Sequence, residues 1–183
     1  MGMLTTITHT AESSVDPFMD EATGLWFLLR TRSRQEKIVA NDLAARGVLH
    51  YLPLMRTVRC YGHRKSKVEL PLFPGYVFLR GAAEDAFATD RAGRLAQIIP
   101  ITDQRRLNNE LKHLAFALRR DAQLDYYPYL QNGVRVEVRS GPFQGLQGVI
   151  DDGGKSDRLI LQVQILGRGV SLEVNAAFLE VIE

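Results

Sequence analysis

The segment ELPLFPGYVFLR, residues 69–80, constrains the fold more than any other stretch of the chain. Side chains of a β-strand point alternately to its two faces, so Val77 and Leu79 share one face while Tyr76 and Phe78 share the other. Both faces of this strand are therefore largely apolar. A domain core accounts for the burial of one face. The pair of aromatic rings on the other face needs a second packing partner.

Composition indicates a globular chain and restricts its partners. The 183 residues are 45% hydrophobic, which is enough for one ordinary core or two small ones. The net charge is only +2, so attraction to nucleic acid depends on where the Lys and Arg residues lie. The single cysteine, Cys60, cannot form an intramolecular disulfide, and no apolar run is long enough to span a bilayer. We expect a cytoplasmic protein without a membrane segment.

The ordered part of the chain is predicted to begin at Leu25. Residues 1–24 are polar, lack the pattern of a signal peptide, and are interpreted as a disordered lead-in. The run LWFLLRTR, residues 25–32, predicts a mostly buried strand. Ser33 and Glu36 have capping-box spacing at the start of a helix that Gly47 ends.

A mixed α/β domain is predicted over residues 25–122. Extended segments interrupted at Pro53 lead into a basic loop at residues 63–67, and the opening segment forms the next strand. A Gly/Ala-rich connection, the strand LAQIIPI and a helix capped by Thr102 complete the domain. This helix carries one apolar stripe, formed by Leu107, Leu111, Leu114 and Leu118.

The last part of the chain has the pattern of a small β-barrel. Residues 123–132 have turn residues but no period, so they are interpreted as a linker or docking segment. Over residues 133–183, VRVEV, LILQVQIL and VSLEV alternate between apolar and polar residues, and glycine-rich turns separate them. About five short strands in this length predict a closed or nearly closed barrel.

Residues that could carry catalysis are scattered. The histidines lie on different elements with no ligand at metal-binding spacing; they are His9, His50, His63 and His113. The GGKS stretch at residues 153–156 lacks the first glycine of a phosphate-binding loop, because Val149 occupies that position. We predict no metal, no cofactor, no catalytic residue and no enzymatic activity.

Basic residues form two clusters. The first comprises Arg30, Arg32, Arg34 and Lys37; the second comprises Arg56, Arg59, His63, Arg64, Lys65 and Lys67. A solvated charged surface is one interpretation, because lysines and arginines must lie outside in any fold. Contact with a phosphate backbone is the other, since the second cluster lies on an extended, hairpin-like arm. The candidates for nucleic-acid binding are Arg59, Arg64, Lys65 and Lys67.

Three stretches in order resemble the NusG family of transcription elongation factors. They are WFLLRTRSRQEK, PLFPGYVF and VRVEVRSGPFQGLQGVI, and the resemblance extends over residues 25–183. It implies an α+β protein: an N-terminal α/β sandwich of the NusG type, a flexible linker, and a C-terminal SH3-like β-barrel with the KOW motif.

The resemblance also implies a polymerase-binding patch. In the family, the N-terminal domain docks through apolar residues onto the clamp helices of the largest subunit of RNA polymerase. The matching residues here are Trp26, Phe73, Tyr76 and Phe78. An alternative is that Tyr76 and Phe78 only pack beneath a helix. Arg30 stands where the RfaH paralogue has a tyrosine of this patch, and residues 84–90 lack the His and Thr pattern of RfaH's gate-loop contact.

The implied function is transcription elongation or antitermination without catalysis. Such a factor favours the processive, pause-resistant state of polymerase by binding it better than the paused state. Non-template DNA is a further expected partner, and the barrel, through Leu166 and Arg168, is expected to contact a small-subunit ribosomal protein or Rho. An alternative is that Leu166 is a leucine of the barrel core. A specialised, RfaH-like paralogue acting on particular operons is favoured. The alternatives are a housekeeping NusG and a KOW-containing RNA-binding or ribosome-associated protein.

Overall fold

The computed structural model describes residues 16–18, 23–127, 133–151 and 158–182. Most of the predicted lead-in, the linker residues 128–132 and the GGKS turn at 153–156 lie outside the described residues. Contacts divide the chain into two units, Met1–Gln104 and Arg105–Glu183. The predicted domain boundary near residue 122 stays a prediction; in this division the last helix, except for its first residue, falls with the C-terminal strands.

The first unit is built on a four-stranded antiparallel sheet. Its strands follow the order β2-β5-β1-β6, and β3 and β4 form a separate two-stranded hairpin. The elements in chain order are β1 (Leu25–Thr31), α1 (Glu36–Ala45), β2 (Leu49–Tyr51), β3 (Leu54–Tyr61), β4 (Arg64–Pro71), β5 (Tyr76–Gly81), α2 (Ala83–Asp90) and β6 (Leu95–Pro100). The predicted strands at LWFLLRTR and LAQIIPI, and the interruption at Pro53, are confirmed.

One face of this sheet holds the core of the unit. Leu29 of β1 and two residues of β5, Val77 and Leu79, pack in one buried cluster with side chains of α1 and α2. The helical members of the cluster are Val39, Leu43 and Ala86. Burial of this apolar surface, at roughly 25 cal/mol per Å² removed from water, holds both helices on the same side of the sheet.

The opposite face is apolar as well, as the strand period predicts. Leu28 of β1 pairs with Phe78 of β5, and Tyr51 of β2 lies on the other side of Phe78. Leu28 is 1% exposed and Phe78 is fully buried. Strand β5 therefore has apolar side chains buried on both faces, in agreement with the two largely apolar faces that its sequence predicts.

The start of α1 differs from the prediction. The helix begins at Glu36, and its N-cap residue Gln35 makes no side-chain capping hydrogen bond. Arg34 has φ +61°, a left-handed conformation that keeps Ser33 out of the helix. The capping-box prediction was wrong because Glu36 makes a tertiary hydrogen bond instead: its carboxylate accepts from the backbone N–H of Gly75 at 2.7 Å.

The end of α1 agrees with the prediction, whereas a second helix was missed. Gly47 follows α1 with φ +68°, and the chain reverses there because Val48 N–H bonds to the Leu43 carbonyl at 2.9 Å. The Gly/Ala-rich connection contains α2, which sequence reasoning did not predict. Its N-terminus is capped by Asp85, whose carboxylate accepts from Ala82 N–H at 2.9 Å.

The second unit contains most of α3 and a six-stranded antiparallel sheet. The sheet order is β12-β8-β9-β10-β11-β7, so four consecutive strands form a meander and β12 returns beside the first of them. The elements are α3 (Gln104–Arg119), β7 (Asp125–Tyr127), β8 (Gly133–Val138), β9 (Gln147–Asp151), β10 (Arg158–Val163), β11 (Arg168–Glu173) and β12 (Leu179–Val181). The predicted mixture of helix and sheet is confirmed, and the six-stranded C-terminal sheet is consistent with an SH3-like β-unit.

Two details of this unit refine the predictions. Strand β7 lies inside the predicted linker and pairs with β11, so residues 125–127 dock rather than run free. Helix α3 begins at Gln104, directly after Asp103, instead of being capped by Thr102. Its apolar stripe is confirmed at Leu107, Leu111 and Leu114, which are buried, while Leu118 is half-buried.

A matched pair of phenylalanines tests the burial of β5. Phe78→Ala should lower the free energy of unfolding by about 3 kcal/mol or more, because it leaves a cavity under a fully buried ring. Phe87→Ala on α2 is the control: this ring is 67% exposed, so the change should stay within about 0.5 kcal/mol. Urea denaturation measures both, and equal midpoints for the two variants would contradict the burial of Phe78.

Candidate interaction surfaces

The basic cluster is carried by the β3–β4 hairpin. Residues 62–63 form its turn, since Tyr61 pairs with Arg64 across the two strands. The prediction of a basic loop over 63–67 was wrong from residue 64 onward. The two-residue turn brings Arg64, Lys65 and Lys67 into strand β4, and their side chains are exposed there.

Strand pairing divides the basic residues between the two faces of the hairpin. Arg59 lies opposite Ser66, so Arg59 and Arg64 share one face. Lys65 and Lys67 point to the other face. A single phosphate backbone therefore meets either the arginine pair or the lysine pair, but not all four together. The sequence pattern alone groups them as one cluster, because the side chains of a loop do not alternate between two faces.

The base of the hairpin is held by contacts around Glu69. Its carboxylate forms an ion pair with Arg56 at 3.2 Å, and Lys37 of α1 donates to its backbone carbonyl at 2.7 Å. The pair is about one-third exposed on each side, so it contributes little to stability by itself. Together the two contacts link the root of the arm to α1.

Three of the four predicted polymerase-contact residues are buried. Phe78 and Phe73 are 0% and 1% exposed, and Trp26 is 2% exposed. Tyr76 is half-buried at the start of β5, opposite the exposed Arg30 of β1. Tyr76 is thus the member of this set that is partly exposed to solvent, whereas the other three are buried.

The turn before Tyr76 is fastened to both neighbouring elements. Gly75 has φ +87°, a backbone conformation that residues with a side chain disfavour. Its carbonyl accepts a hydrogen bond from Thr31 N–H of β1 at 2.8 Å. Its N–H donates to Glu36 of α1. The carboxylate of Glu36 is 7% exposed and sits at the first turn of the helix, where the dipole favours negative charge. Tyr76 therefore follows a rigid turn.

A clamp on Trp26 was not foreseen from the sequence. The Gln104 amide accepts from Trp26 N–H at 2.6 Å and donates to the Trp26 carbonyl at 3.0 Å. A carboxamide has the same donor and acceptor as a peptide group, so it continues the pairing of β1 beyond the end of β6. Only the tertiary structure brings two residues 78 positions apart into this contact.

The predicted partner segment of the barrel forms a tight turn between β10 and β11. Residues Gln164–Leu166 make one turn of 3-10 helix, and Arg168 Nε donates to the Leu166 carbonyl at 3.2 Å. Leu166 is buried at 9% exposure, whereas its neighbour Ile165 is 44% exposed. The exposed apolar side chain of this turn is therefore Ile165, which sequence reasoning did not select.

Helix α3 makes one hydrogen bond to this turn and one to strand β9. Glu110 accepts from Gln164 N–H at 3.1 Å, and Arg106 pairs with the same carboxylate group at 3.1 Å. One helical turn further on, His113 Nδ1 accepts from Gln147 N–H of β9 at 3.3 Å. Both bonds satisfy backbone donors of the sheet with side chains of the helix.

Two histidines have perturbed pKa values. Burial lowers the pKa of His113, opposed by the nearby carboxylate of Glu137 and reinforced by Arg135. Burial also lowers the pKa of His50, partly offset by its hydrogen bond to the Val48 carbonyl. Neutral His113 keeps a lone pair on Nδ1 for Gln147, which protonation would remove.

Comparison with known protein families finds a match over much of the first unit. A model described as "Transcription termination factor nusG" matches residues 24–107, somewhat less than half of the chain. Over these residues the chain is similar to the NusG family. The match spans the β2-β5-β1-β6 sheet, the basic hairpin and the turn before Tyr76, so the candidate surfaces of the first unit lie within the matched residues.

Two other comparisons add little to this match. No curated protein matches the chain. A solved structure titled "Domain interaction in Thermotoga maritima NusG" is 23% identical, covers 87% of this chain and 97% of its own, and has a TM-score of 0.39. A TM-score this low does not establish a shared overall arrangement.

Within the ranges that the structure describes, no group of three or more His, Cys, Asp or Glu side chains could hold a metal ion. None of the helices in those ranges has the length and apolar content needed to cross a bilayer.

The lowered pKa of His113 predicts a pH-dependent stability. Below the ordinary value of 6.5, the unfolded chain binds a proton that folded His113 resists. The free energy of unfolding should therefore fall as the pH drops from about 6.5 towards the lower folded-state pKa. His113→Asn keeps an acceptor near the Nδ1 position but does not titrate, so it should lose less stability between pH 7.5 and 5.5.

Urea denaturation of both proteins at these two pH values measures the effect. His50 remains in the variant and contributes in the same direction, so a reduced rather than abolished dependence is expected. An identical pH dependence of wild type and His113→Asn would contradict the assignment.

Proposed function

We propose that this protein acts in transcription elongation by binding RNA polymerase and favouring its processive, pause-resistant state, without catalysing a reaction. The observation that carries the proposal is the match of residues 24–107 to the NusG family. Differential affinity for the elongating state is sufficient for this effect, because a ligand shifts a conformational equilibrium towards the state that it binds better. Its place of action is the cytoplasm.

Tyr76 is the proposed centre of the contact with the clamp helices of polymerase. It is half-buried, stands on a turn fixed by Glu36 and Gly75, and has the exposed Arg30 opposite it. A ring that is held in place loses little conformational entropy on binding, and aromatic anchors often dominate interface energies. Trp26, Phe73 and Phe78 are buried, so we do not propose a direct contact for them.

The hairpin is the proposed contact with the non-template DNA strand. Of its two faces, the one with Arg59 and Arg64 is the better match to a phosphate backbone, because guanidinium groups bind phosphate oxygens in a bidentate way. Contacts of this kind position the protein and carry no sequence information.

For the C-terminal unit, we propose that the β10–β11 turn binds a second partner, a small-subunit ribosomal protein or Rho. Ile165 supplies exposed apolar surface and Arg168 lies next to it. A role restricted to particular operons is the finer proposal. The RfaH-like stretch LFPGYVF at residues 72–78, together with the departures at Arg30 and residues 84–90, favours it over a general factor. A gene position beside a long biosynthetic cluster would support the specialised role.

Replacing Tyr76 tests the polymerase contact. Tyr76→Ala should weaken binding to core RNA polymerase by roughly 30-fold, equivalent to about 2 kcal/mol, while the protein stays folded. Tyr126→Ala in β7 is the matched control, because this tyrosine is 48% exposed in the other unit. Both affinities are measured with purified polymerase, and undiminished binding of the Tyr76 variant would exclude the proposed contact.

Two double variants test the hairpin, each of which removes two charges. Arg59→Gln with Arg64→Gln should weaken binding to an elongation complex and lower the slope of log affinity against log salt by about 1.4 to 1.8. Lys65→Gln with Lys67→Gln, on the opposite face, should leave the slope nearly unchanged. Titrations between 50 and 200 mM salt, on the order of the range over which such slopes are measured, provide the data. An effect confined to the lysine pair would assign the contact to the other face, and no effect in either variant would exclude the hairpin.

A further inference from the structure

A short N-terminal segment covers part of the second face of the four-stranded sheet. The described part of this segment is residues 16–18, and Phe18 packs against Trp26 of β1 and Tyr51 of β2. The Phe18 ring is 4.9 Å from the Tyr51 ring in an edge-on arrangement and 5.8 Å from the Trp26 ring. Phe18 is 8% exposed, although sequence analysis placed it in a disordered lead-in.

The contact is specific in its polar groups as well. Arg80 of β5 donates from Nη1 to the Pro17 carbonyl at 2.5 Å, and its guanidinium carbon lies 5.7 Å from the centre of the Trp26 ring. Arg80 and Trp26 are paired across β1 and β5, so the sheet itself places them together. The same arginine thus recognises a backbone carbonyl and stacks on the ring that the segment covers.

The segment has its own preorganised shape. Phe18 N–H donates to the Asp16 carboxylate at 2.9 Å, which closes a local turn of the Asx type. Pro17 restricts the backbone between the two residues. A segment that is already bent loses less entropy when it docks, which is the property of a good peptide ligand.

We propose that Trp26, Tyr51 and Arg80 form a peptide-binding recess and that Asp16–Phe18 is its tethered ligand. The recess recognises an aromatic side chain by edge-on ring packing and the preceding carbonyl by a charged donor. Six residues separate Phe18 from Leu25, the first residue of β1, so the tether keeps the ligand at high local concentration. Asp16–Phe18 covers the recess until the segment leaves it. This proposal does not rest on the proposed polymerase contact.

The full chain with Phe18→Ala is the central test, because it empties the ring site. Trp26 is the only tryptophan, so intrinsic fluorescence reports on the recess alone. We expect the emission of the variant to shift to the red and acrylamide quenching to increase. Phe87→Ala, which removes an exposed ring elsewhere in the same unit, should leave the spectrum unchanged.

A peptide added in trans distinguishes a binding site from ordinary packing. The peptide AESSVDPFMDEA, residues 11–22, should bind the Phe18→Ala chain and restore the wild-type emission. Its analogue with alanine in place of the phenylalanine should not. Wild-type protein should bind the same peptide at least about tenfold more weakly, since its own segment competes at high effective concentration. Adding Arg80→Gln to the Phe18→Ala chain should weaken peptide binding.

Several results would overturn the proposal. An unchanged Trp26 spectrum in the folded Phe18→Ala chain would do so, and so would failure of the peptide to bind at roughly millimolar concentration, the effective concentration of a short tether. A wild-type dimer that Phe18→Ala dissociates would show that the segment serves a second copy of the chain. If circular dichroism shows that Phe18→Ala is unfolded, Phe18→Leu replaces it; this variant keeps apolar volume but should still gain quenching and peptide binding.

Discussion

The first unit depends on one constraint, which is that the apolar side chains of β5 must be buried on both faces of its sheet. On one side, Val77 and Leu79 pack with helices α1 and α2. On the other side, Phe78 pairs with Leu28 and is fully buried. Strand β5 lies between β1 and β2, in the interior of the sheet. The turn before Tyr76 is then held by Glu36, a residue that would otherwise have capped its own helix.

Functional surfaces occur where the apolar requirement ends. Tyr76 is the first residue of β5 and is half-buried. The basic hairpin, formed by β3 and β4, precedes β5 in the chain. In a hairpin the charges separate onto two faces, so a phosphate backbone can use only part of them. In the second unit, the β10–β11 turn exposes Ile165 while Leu166 turns inward. In each case a neighbouring residue with similar chemistry cannot join the same surface, because the backbone conformation points its side chain in another direction.

The sequence predicted most of the strands, and its errors have identifiable causes. Short apolar runs located β1 and β6, and period-two patterns located strands of the C-terminal sheet. Helix α2 was missed because its buried surface is small, with Ala86 and Thr89 as its buried residues. Most of the predicted basic loop is a strand, because the turn has only two residues and strand pairing resumes at Arg64. The candidate site was predicted less well than the fold: three of its four aromatic residues are buried.

The sequence by itself determined which segments must be buried and which residue types could meet a partner, because strand and helix periods are local properties of the chain. It also carried the resemblance to the NusG family that the match over residues 24–107 supports. Only the tertiary structure decided which aromatic side chains remain accessible, where Gln104 binds, and that Phe18 packs on Trp26 and Tyr51. These contacts join residues far apart in the chain. Their partners are chosen by the packing of whole elements, which no local pattern records.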